Sequence, residues 1–285
     1  MTPIDTIIVG AGGRGNAYGK FAMEHPQDLS VVGVAEPDSL RRERMMTFHD
    51  IAPDMAFASW ESLLDTDKKR AASIINCTMD RSHYDSTMKM LDLGYDVLLE
   101  KPMTPVLHEN MKLVQKAEDT GRLLQVCHVL RYSPFWQVLR EIVQSGKLGR
   151  IVSVSHRENL AYWHMAHSFV RGNWRDEETS GPMILSKCSH DLDILIWILQ
   201  QKVVHLNSFG SLTHFHPENA PEGATMRCTD GCPAAETCKY EATKLYAVDG
   251  DGWPQNHISY IPTKAARLEA LKTDWYGRCV YHCDN

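Results

Sequence analysis

The segment DTIIVGAGGRG, residues 5–15, decides the fold of this chain. It begins with an apolar run typical of a buried strand and continues with Gly10, Gly12 and Gly15 in the pattern G-x-G-x-x-G. That pattern is weak alone, but here it follows a predicted strand and opens a predicted helix, and Glu36 ends the next strand about twenty residues later. This context predicts a dinucleotide site, against the alternative of a glycine turn in a nucleotide-free flavodoxin-like fold.

Each glycine of the motif has a physical task. Gly10 permits the tight turn, Gly12 lets backbone amides approach a pyrophosphate at the helix N-terminus, and Gly15 lets the helix lie close to the strand. Gly13 and Arg14 belong to the same loop and are expected to contact the cofactor.

The choice between NAD and NADP depends on the residues after the second strand. Glu36 is expected to accept hydrogen bonds from the adenosine ribose and to repel a 2′-phosphate, which favours NAD. Arg41, Arg42 and Arg44 follow closely and could neutralise such a phosphate, so NADP stays open.

The first half of the chain alternates strands with helices. Short apolar runs at residues 5–10, 29–36, 72–78, 96–101 and 122–130 are separated by amphipathic stretches. This alternation predicts an α/β domain over residues 1–129, a Rossmann fold whose doubly wound parallel sheet has helices on both faces.

The pattern changes near residue 130. A helical stretch at 135–149 is followed by an alternating segment at 150–159, an apolar helix at 189–201 and a strand-like segment at 203–216. These predict an α+β domain over residues 130–285, in which a helix covers an open sheet. Its last part, residues 226–283, is rich in cysteine.

The bulk composition is that of a globular protein: 285 residues, 43% hydrophobic and 23% charged, with a formal net charge of −6. The acidic balance disfavours a nucleic-acid partner. No apolar run approaches the ~18 residues of a membrane span, and the N-terminus lacks the features of a signal peptide. We therefore expect a cytoplasmic protein with neither nucleic acid nor membrane as partner.

Five segments, taken in order, resemble the Gfo/Idh/MocA family of oxidoreductases, which includes glucose–fructose oxidoreductase and inositol dehydrogenase. They are IIVGAGGRG at 7–15, NCTMDRSH at 76–83, EKP at 100–102, SGKLGRI at 145–151 and SHDLDILIW at 189–197. The resemblance implies a Rossmann domain, a second domain with a large, mostly antiparallel open sheet, a polyol or sugar substrate between them, and a homo-oligomer, dimer or tetramer. It also implies that a C-terminal portion of that sheet is missing after Asn285.

The EKP motif carries the first catalytic candidate. Lys101 lies at the C-terminal end of a parallel strand, where such sheets hold their ligands. Oxidation of a secondary alcohol needs a base for the hydroxyl proton, and burial beside a cationic nicotinamide would lower the pKa of a lysine. The resemblance implies that Lys101 is that residue and that Glu100, Thr78 and His83 border the cofactor, whereas a solvated lysine at a strand end is the alternative.

The second catalytic candidate is His190, which begins the apolar helix of the second domain. The resemblance implies a base or proton shuttle, whereas a histidine that only caps the helix is the alternative. Many family members have Asp four residues earlier, where this chain has Ser186. Lys187 and Asp191 are the candidates to replace that carboxylate.

Residues 157–175, RENLAYWHMAHSFVRGNWR, are rich in His, Trp and Arg. Tryptophan rings could stack on a sugar, and the polar side chains could bond its hydroxyls, although a solvated surface loop explains the same composition. The candidates for substrate binding are Arg131, Tyr132, Trp163, His164, His167, Arg171 and Trp174.

The chain has eight cysteines, and five of them lie in its last third. Three or four converging thiolates would make a structural zinc or iron–sulfur site, for which Cys228, Cys232, Cys238 and Cys283 are the candidates. A loop with buried free thiols is the alternative.

The sequence thus predicts an NAD(P)-dependent dehydrogenase that acts on a CH–OH group of a sugar, inositol or glycoside. Two other functions fit the same fold. One is a glycosidase that oxidises and re-reduces its substrate on a retained NAD, and the other is a non-enzymatic NAD-binding regulatory protein.

Overall fold

The computed structural model describes residues 2–66, 68–250 and 252–283. The chain divides into two compact units, Met1–Val129 and Leu130–Asn285. Each unit has its own buried core.

The first unit is built on a six-stranded parallel sheet. Its strands are β1 (Ile4–Val9), β2 (Leu29–Ala35), β3 (Ala56–Phe57), β4 (Ser73–Asn76), β5 (Asp96–Leu99) and β6 (Leu124–Val126). They lie in the order β3-β2-β1-β4-β5-β6, and every neighbouring pair is parallel. This is the strand order of dinucleotide-binding folds, and it confirms the predicted doubly wound sheet.

Helices cover both faces of this sheet. They are α1 (Gly13–Glu24), α2 (Ser39–His49), α3 (Trp60–Leu64), α4 (His83–Asp92) and α5 (Leu107–Thr120). Along β1, Ile7 and Val9 join a core with α3, α4 and α5, whereas Ile8 joins a core with α1 and α2. A strand buried on both faces needs apolar residues at every position, and this explains its continuous apolar run.

Local signals fix the ends of several helices. Ser59 accepts a hydrogen bond from the Ser62 backbone, and the Ser62 side chain accepts one from the Ser59 backbone, so the predicted N-cap of α3 is confirmed. At the other end of a helix, Gly121 closes α5 with a φ of 62°, a backbone conformation that favours glycine.

The sheet brings the predicted site residues to one edge. Backbone hydrogen bonds continue past the strand ends: Gly10 N–H donates to Ala35 at 2.8 Å, Cys77 N–H to Val9 at 2.7 Å and Glu100 N–H to Asn76 at 2.9 Å. The loops that follow β1, β2, β4 and β5 therefore begin side by side at the carboxyl ends of their strands, where parallel sheets hold ligands.

The second unit is helical and irregular in its described part. Its helices are α6 (Pro134–Gln144), α7 (Tyr162–Met165), α8 (Met183–Ser186), α9 (Ser189–Leu199), α10 (Ala242–Tyr246) and α11 (Lys264–Leu271). A π-helical turn, Ala166–Arg171, continues α7. The apolar helix α9 packs against α6, and the Arg140 guanidinium lies 4.4 Å from the Trp197 ring. No helix in the described ranges is long and apolar enough to cross a membrane.

The sheet predicted for residues 130–285 is not found. Within the described residues of this unit, an isolated antiparallel bridge between Arg227 and Arg278 is the only β pairing. The segments 150–159 and 203–216 contain no strand, and most of their apolar side chains stand in solvent, with Val152 90% and Phe209 96% exposed. Alternating residues form a strand only when a neighbouring strand supplies hydrogen-bond partners, and none lies beside these segments.

Candidate active site

The glycine loop has the geometry that a dinucleotide requires. Gly10 has a φ of 91°, and a Cβ there would lie 2.5 Å from the Cys77 carbonyl oxygen. A Cβ on Gly15 would lie 2.1 Å from the Gly10 carbonyl oxygen. Around Gly12, in contrast, a Cβ would meet no atom within 4 Å among the described residues. Two glycines are therefore required by the protein's own packing, and the third borders open space.

The start of α1 offers the donors for an anion. Gly12 is its N-cap, and the helix has neither a side-chain cap nor an acidic residue in its first turn. The first turn of any helix has backbone N–H groups without helical partners, and the helix dipole favours negative charge beside them. The residues present therefore fit the pyrophosphate of a dinucleotide.

Glu36 is buried at the end of β2. Its two carboxylate oxygens accept hydrogen bonds from the Ala11 N–H at 2.7 Å and the Asp38 N–H at 3.0 Å. The Arg42 guanidinium donates to the carbonyls of Glu36 and Pro37. A carboxylate has about four acceptor positions, so Glu36 can also accept from a ribose hydroxyl.

The other two arginines after β2 have defined places. The Arg41 backbone N–H donates to Asp38, which caps α2, at 2.9 Å. The Arg44 guanidinium lies 5.2 Å from the Phe48 ring. The Arg42 guanidinium is thus used on backbone carbonyls, and the Arg44 guanidinium lies against a ring of its own helix.

Glu100 connects the EKP motif to α1. Its buried carboxylate accepts hydrogen bonds from Arg14 Nε at 2.6 Å and from the Tyr18 hydroxyl at 2.8 Å, and its second oxygen accepts from the Lys101 backbone N–H at 3.1 Å. Lys101 is half-buried directly after β5, and its peptide bond to Pro102 is cis. The backbone of the predicted catalytic lysine is therefore held by a carboxylate that also holds the cofactor-loop helix.

The groups around Glu100 stay protonated. Burial, followed by the Glu100 charge, raises the pKa of Tyr18 well above its ordinary value. Burial lowers the pKa of Arg14, but the Glu100 carboxylate outweighs it and raises the pKa overall. Burial raises the pKa of the Cys127 thiol to about 11, and the pKa of Cys77 is also well above its usual range. Tyr18 and Arg14 therefore remain donors to the carboxylate.

The segment after β4 is fixed by buried polar groups. Asn76 donates to the hydroxyls of Ser86 at 2.8 Å and Thr87 at 3.0 Å, and its oxygen accepts from the Thr78 hydroxyl at 2.9 Å. His83 is fully buried, with Nδ1 2.8 Å from the Pro102 carbonyl and Nε2 3.0 Å from the Thr78 carbonyl. His83 therefore joins the EKP turn to the segment after β4, which is a positioning role.

In the second unit, two of the catalytic candidates on and before α9, Lys187 and Asp191, have side-chain partners. Lys187 Nζ lies 3.3 Å from the Glu158 carboxylate. Asp191 accepts a hydrogen bond from His156 Nε2 at 2.5 Å. His190 lies between Lys187 and Asp191 in the sequence, and its backbone N–H donates to the Lys187 carbonyl at 3.2 Å.

Ser186 does not supply a carboxylate equivalent. Its side chain is buried, and its hydroxyl donates to the carbonyls of Gly181 and Pro182, each at 3.2 Å. An aspartate at this position would place its carboxylate against those two carbonyl oxygens, which cannot donate hydrogen bonds to it. The carboxylate beside His190 in the sequence is Asp191, and it is paired with His156.

Two candidates for substrate binding, Arg131 and Tyr132, lie at the start of the second unit and differ in environment. Arg131 forms a two-pronged ion pair with Asp193, at 2.8 and 2.5 Å, and the hydrogen bond to Asp193 raises its pKa. Tyr132 is exposed.

The aromatic and histidine candidates lie in one stacked cluster. The Trp163 ring lies 5.7 Å from His164 and 5.1 Å from Trp253. His167 is buried, stacks on Tyr276 at 4.8 Å and bonds to the Tyr246 hydroxyl at 3.1 Å. Burial, with His257, His164 and Arg171 nearby, lowers the pKa of His167 to about 3, so this histidine is neutral and structural.

Two further substrate candidates are used inside the fold. Arg171 is fully buried and donates to the carbonyls of Arg278 at 2.6 Å and Tyr240 at 2.9 Å, so it joins the π-helical turn to the Cys-rich segment instead of meeting a ligand. Trp174 lies 6.3 Å from Phe169.

The predicted metal site is not supported. In the described ranges, no group of three or more His, Cys, Asp or Glu side chains is placed to hold a metal ion. Cys228, Cys232, Cys238 and Cys279 line a small cavity of about 20 Å³, whereas Cys283 bonds to the Cys279 carbonyl. Burial raises the pKa of the Cys228 and Cys279 thiols. The Arg171 guanidinium lines the same cavity and lies 3.5 Å from the Cys228 sulfur, and a guanidinium beside the thiols disfavours a cation there.

Several residues of this site escaped the sequence reasoning. Tyr18 lies in an ordinary helical pattern, and His156 and Glu158 lie in a segment predicted as a strand. Trp253 stands in a Gly- and Pro-rich stretch. Their roles come from partners distant in sequence, such as Tyr18 and Glu100, which are 82 positions apart, so spacing alone could not reveal them.

Family models match both units. Residues 4–128 match the oxidoreductase family with an NAD-binding Rossmann fold, GFO_IDH_MocA. Residues 136–247 match the GFO/IDH/MocA C-terminal domain.

Curated relatives include oxidoreductases of bacteria. YteT of Bacillus subtilis, named as an oxidoreductase, is 31% identical over 172 residues, which cover 59% of this chain and 40% of YteT. Inositol 2-dehydrogenase 4 of Saccharopolyspora erythraea is 25% identical over 222 residues, which cover 76% of this chain and 60% of that protein. The chain spans about half the length of the curated relatives it matches.

Solved structures share the fold. Myo-inositol 2-dehydrogenase from Lactobacillus plantarum has a TM-score of 0.60 and 18% identity, over 70% of this chain and 57% of that chain. The WlbA dehydrogenase from Chromobacterium violaceum, in complex with NADH and UDP-GlcNAcA, has a TM-score of 0.57 and 23% identity, over 70% of this chain and 56% of that chain. With both family models matched in order, the chain belongs to the Gfo/Idh/MocA family of oxidoreductases, and its first half is an NAD-binding Rossmann fold.

Proposed function

We propose that this chain is part of an NAD-dependent dehydrogenase that transfers a hydride between a nicotinamide and a secondary alcohol of a sugar, inositol or glycoside. The observation that carries the proposal is the arrangement around Glu100. One buried carboxylate holds both the helix that follows the glycine loop and the backbone of Lys101 at the carboxyl end of β5. The relatives named as inositol 2-dehydrogenases support a polyol substrate.

The cofactor is held by the loop after β1 and by Glu36. The backbone N–H groups at the start of α1 bind the pyrophosphate, and Glu36 binds the adenosine ribose. When bound, the nicotinamide supplies the hydride acceptor. NAD is favoured over NADP because a buried carboxylate beside a 2′-phosphate is repulsive, and Arg42 already donates to backbone carbonyls. A lower KM for NADP than for NAD would contradict this preference.

Lys101 is the proposed acceptor of the hydroxyl proton. Its backbone is fixed by Glu100 on one side and, through Pro102, by His83 on the other. Fixing the backbone limits where the amine can reach, and a catalytic base must stay within hydrogen-bond distance of the proton that it removes.

His190 is the second proposed proton carrier, and the residues beside it support that role. Asp191 is hydrogen-bonded to His156, and Lys187 forms an ion pair with Glu158, so both of these neighbours of His190 in the sequence have partners of their own. The missing family carboxylate at Ser186 is thus compensated by Asp191 in this proposal. The predicted homo-oligomer remains a prediction.

The test is a panel of sugars, inositols and glycosides with NAD, followed by nicotinamide absorbance. Lys101→Ala is expected to lower kcat about 100-fold or more, since general bases contribute at least that much, while its affinity for NAD is unchanged. Lys112→Ala, which removes an exposed lysine from α5, is the matched control and should keep the parent kcat.

Each outcome of this panel has a meaning. NADH that accumulates with at least one polyol, and is lost in Lys101→Ala alone, supports the dehydrogenase. Glycoside cleavage without NADH would show the NAD-retaining glycosidase. NAD binding without turnover on any compound would show a regulatory protein, and parent-like turnover in Lys101→Ala would remove this lysine from the mechanism.

A further inference from the structure

The second unit has an open cavity of about 610 Å³, lined by three aromatic rings together with polar and charged side chains. We call it the aromatic cavity, and define it by Tyr162, Trp163, Thr237, Lys239, Trp253 and Gln255. Its volume falls in the range of about 300–1,000 Å³ that is typical of sites for small molecules. The residues come from α7 and from two stretches of the last third of the chain, so the fold assembles this wall from distant segments.

The rings of the aromatic cavity pack against other rings on one side and are exposed to solvent on the other. Trp253 lies 5.1 Å from Trp163, and its ring meets the edge of His164 at 5.0 Å and of His167 at 5.3 Å. Despite this packing, Trp253 is 45% exposed and Tyr162 is 50% exposed. Large aromatic surface in water is unfavourable, and rigid exposed rings lose little side-chain freedom when a ligand covers them.

Polar groups lie beside these rings. Thr237 supplies a hydroxyl at the exposed rim, and the Gln255 amide nitrogen donates to the Leu245 carbonyl at 3.0 Å. Lys239 lies 5.5 Å from the Tyr162 ring. Rings that offer a flat apolar face, with donors and acceptors around them, match a pyranose, which has one face of C–H groups and a rim of hydroxyls.

The charges of the aromatic cavity favour a neutral ligand. Two lysines, Lys239 and Lys244, are balanced by two glutamates, Glu236 and Glu241. Lys244 Nζ donates to the Ala235 and Glu236 carbonyls at 2.6 and 2.7 Å, and Glu241 accepts from the Lys244 backbone. The Lys244 amine and the Glu241 carboxylate are thus hydrogen-bonded within the protein, and the formal charges of the two lysines and two glutamates cancel, which favours an uncharged ligand.

The aromatic cavity and the predicted catalytic helix share a neighbourhood within the second unit. His164, which stacks on Trp163 and meets Trp253, has its pKa lowered first by burial and then by Lys187, while Glu158 acts in the opposite direction. Lys187 pairs with Glu158 and precedes His190 by three residues. The back wall of the aromatic cavity therefore lies within electrostatic reach of the residues beside His190.

We propose that the aromatic cavity binds a second saccharide ring, so that the substrate is a glycoside or short oligosaccharide and not a free monosaccharide or inositol. This deepens the proposed function and rests on it for the oxidised ring. The ring held in the aromatic cavity stacks on Trp253 and Tyr162 and determines which glycosides are accepted.

The test measures binding without turnover. Saturation-transfer NMR and calorimetry on the chain, without NAD, use the probes maltose, cellobiose, lactose and melibiose, with glucose and myo-inositol as single-ring comparisons. We expect at least one disaccharide to bind tenfold or more tightly than both single-ring compounds. Trp253→Ala should weaken that disaccharide at least tenfold, and Trp253→Phe, which keeps an aromatic face, should restore most of the affinity.

The matched control is Phe209→Ala, because Phe209 is an exposed aromatic residue of the same unit that does not line the aromatic cavity. It should bind the disaccharide like the parent chain. The proposal is overturned if no disaccharide in the set exceeds glucose and myo-inositol, if Trp253→Ala leaves disaccharide binding unchanged, or if Phe209→Ala weakens it equally.

The readout separates this inference from the proposed function. Disaccharide binding that depends on Trp253, without NADH formation on any polyol, would leave the aromatic cavity as a saccharide site and refute the dehydrogenase. NADH formation on single-ring polyols, with equal kcat/KM in the parent and in Trp253→Ala and without disaccharide binding, would support the dehydrogenase and refute the saccharide site.

Discussion

Three alanine substitutions in the glycine loop should separate folding from cofactor binding. Gly10→Ala and Gly15→Ala should destabilise the fold, because the new Cβ atoms would lie 2.5 Å from the Cys77 carbonyl and 2.1 Å from the Gly10 carbonyl. Gly12→Ala should leave the fold nearly unchanged, because its Cβ meets no described atom within 4 Å. We expect this variant alone to fold well and to bind NAD poorly.

The magnitudes follow from the contacts. Overpacking typically costs about 1–3 kcal/mol, and a left-handed backbone with a Cβ costs about 1–2 kcal/mol more at Gly10. Gly15 lies inside α1, where alanine would otherwise gain about 1 kcal/mol over glycine, so its net loss should be about 2 kcal/mol at most. At Gly12, an N-cap with a φ of −72°, alanine costs about 0.5–1 kcal/mol in capping.

The assay is urea unfolding beside calorimetric NAD binding. Gly94→Ala is the control for backbone strain, because Gly94 has a φ of 82° and no described atom lies within 4 Å of its added Cβ. It should lose less stability than Gly10→Ala, and the difference measures the clash. Gly12→Ala should weaken NAD at least tenfold, which corresponds to about 1.4 kcal/mol. If Gly12→Ala instead unfolds as easily as Gly10→Ala, or binds NAD like the parent, the loop does not reserve this space for a pyrophosphate.

Three further substitutions test the buried polar groups. Glu100→Gln should lower the free energy of unfolding by about 1.5–3 kcal/mol, because a charged hydrogen bond to Arg14 is lost, and should lower the pKa of Tyr18 in an absorbance titration. The exposed Glu118→Gln should change neither. His167 has a pKa of about 3 in the fold against an ordinary 6.5, so the folded state binds fewer protons and stability falls as pH drops from 6.5 toward 3. Between pH 6.5 and pH 5 this loss of stability is about 2 kcal/mol. His167→Phe should reduce the pH dependence of the free energy of unfolding measured in urea. If that free energy changes with pH as steeply in the variant as in the parent, the burial argument is contradicted. Arg171→Met should destabilise the second unit by about 3 kcal/mol, because it leaves the carbonyls of Arg278 and Tyr240 without their donor. The control is Arg150→Met at an exposed position, which should change the free energy of unfolding by less than about 0.5 kcal/mol.

The sequence was most informative where burial is uniform. Strands with helices on both faces carry continuous apolar runs, and β1, β2, β4, β5 and β6 were predicted from those runs. The strand β3 was missed because Ala56–Phe57 is two residues long, too short to show a period. In the second unit, alternation at 150–159 reported a side-chain pattern only, and strand formation depends on a neighbour that no local pattern reveals.

The site residues also divide into those whose surroundings follow from nearby sequence and those whose surroundings depend on distant residues. The glycine tasks could be predicted because they follow from backbone geometry within a few residues, and the structure gives the three glycines three different surroundings. The metal prediction is not supported by the structure, for a non-local reason. Cysteine spacing shows how far apart thiols lie along the chain, but it cannot show that the Arg171 guanidinium lies among them.

Glu100 shows how one buried charge can couple two parts of a site. α1 begins at the glycine loop and carries Arg14 and Tyr18 on its first two turns, and both donate to Glu100, which in turn accepts from the Lys101 backbone. A displacement of α1 when the loop binds an anion would therefore be transmitted to Lys101 through two hydrogen bonds and one carboxylate. A carboxylate is suited to this connection because its two oxygens accept from several donors at once, whereas an amide in its place would offer one acceptor and a misplaced donor.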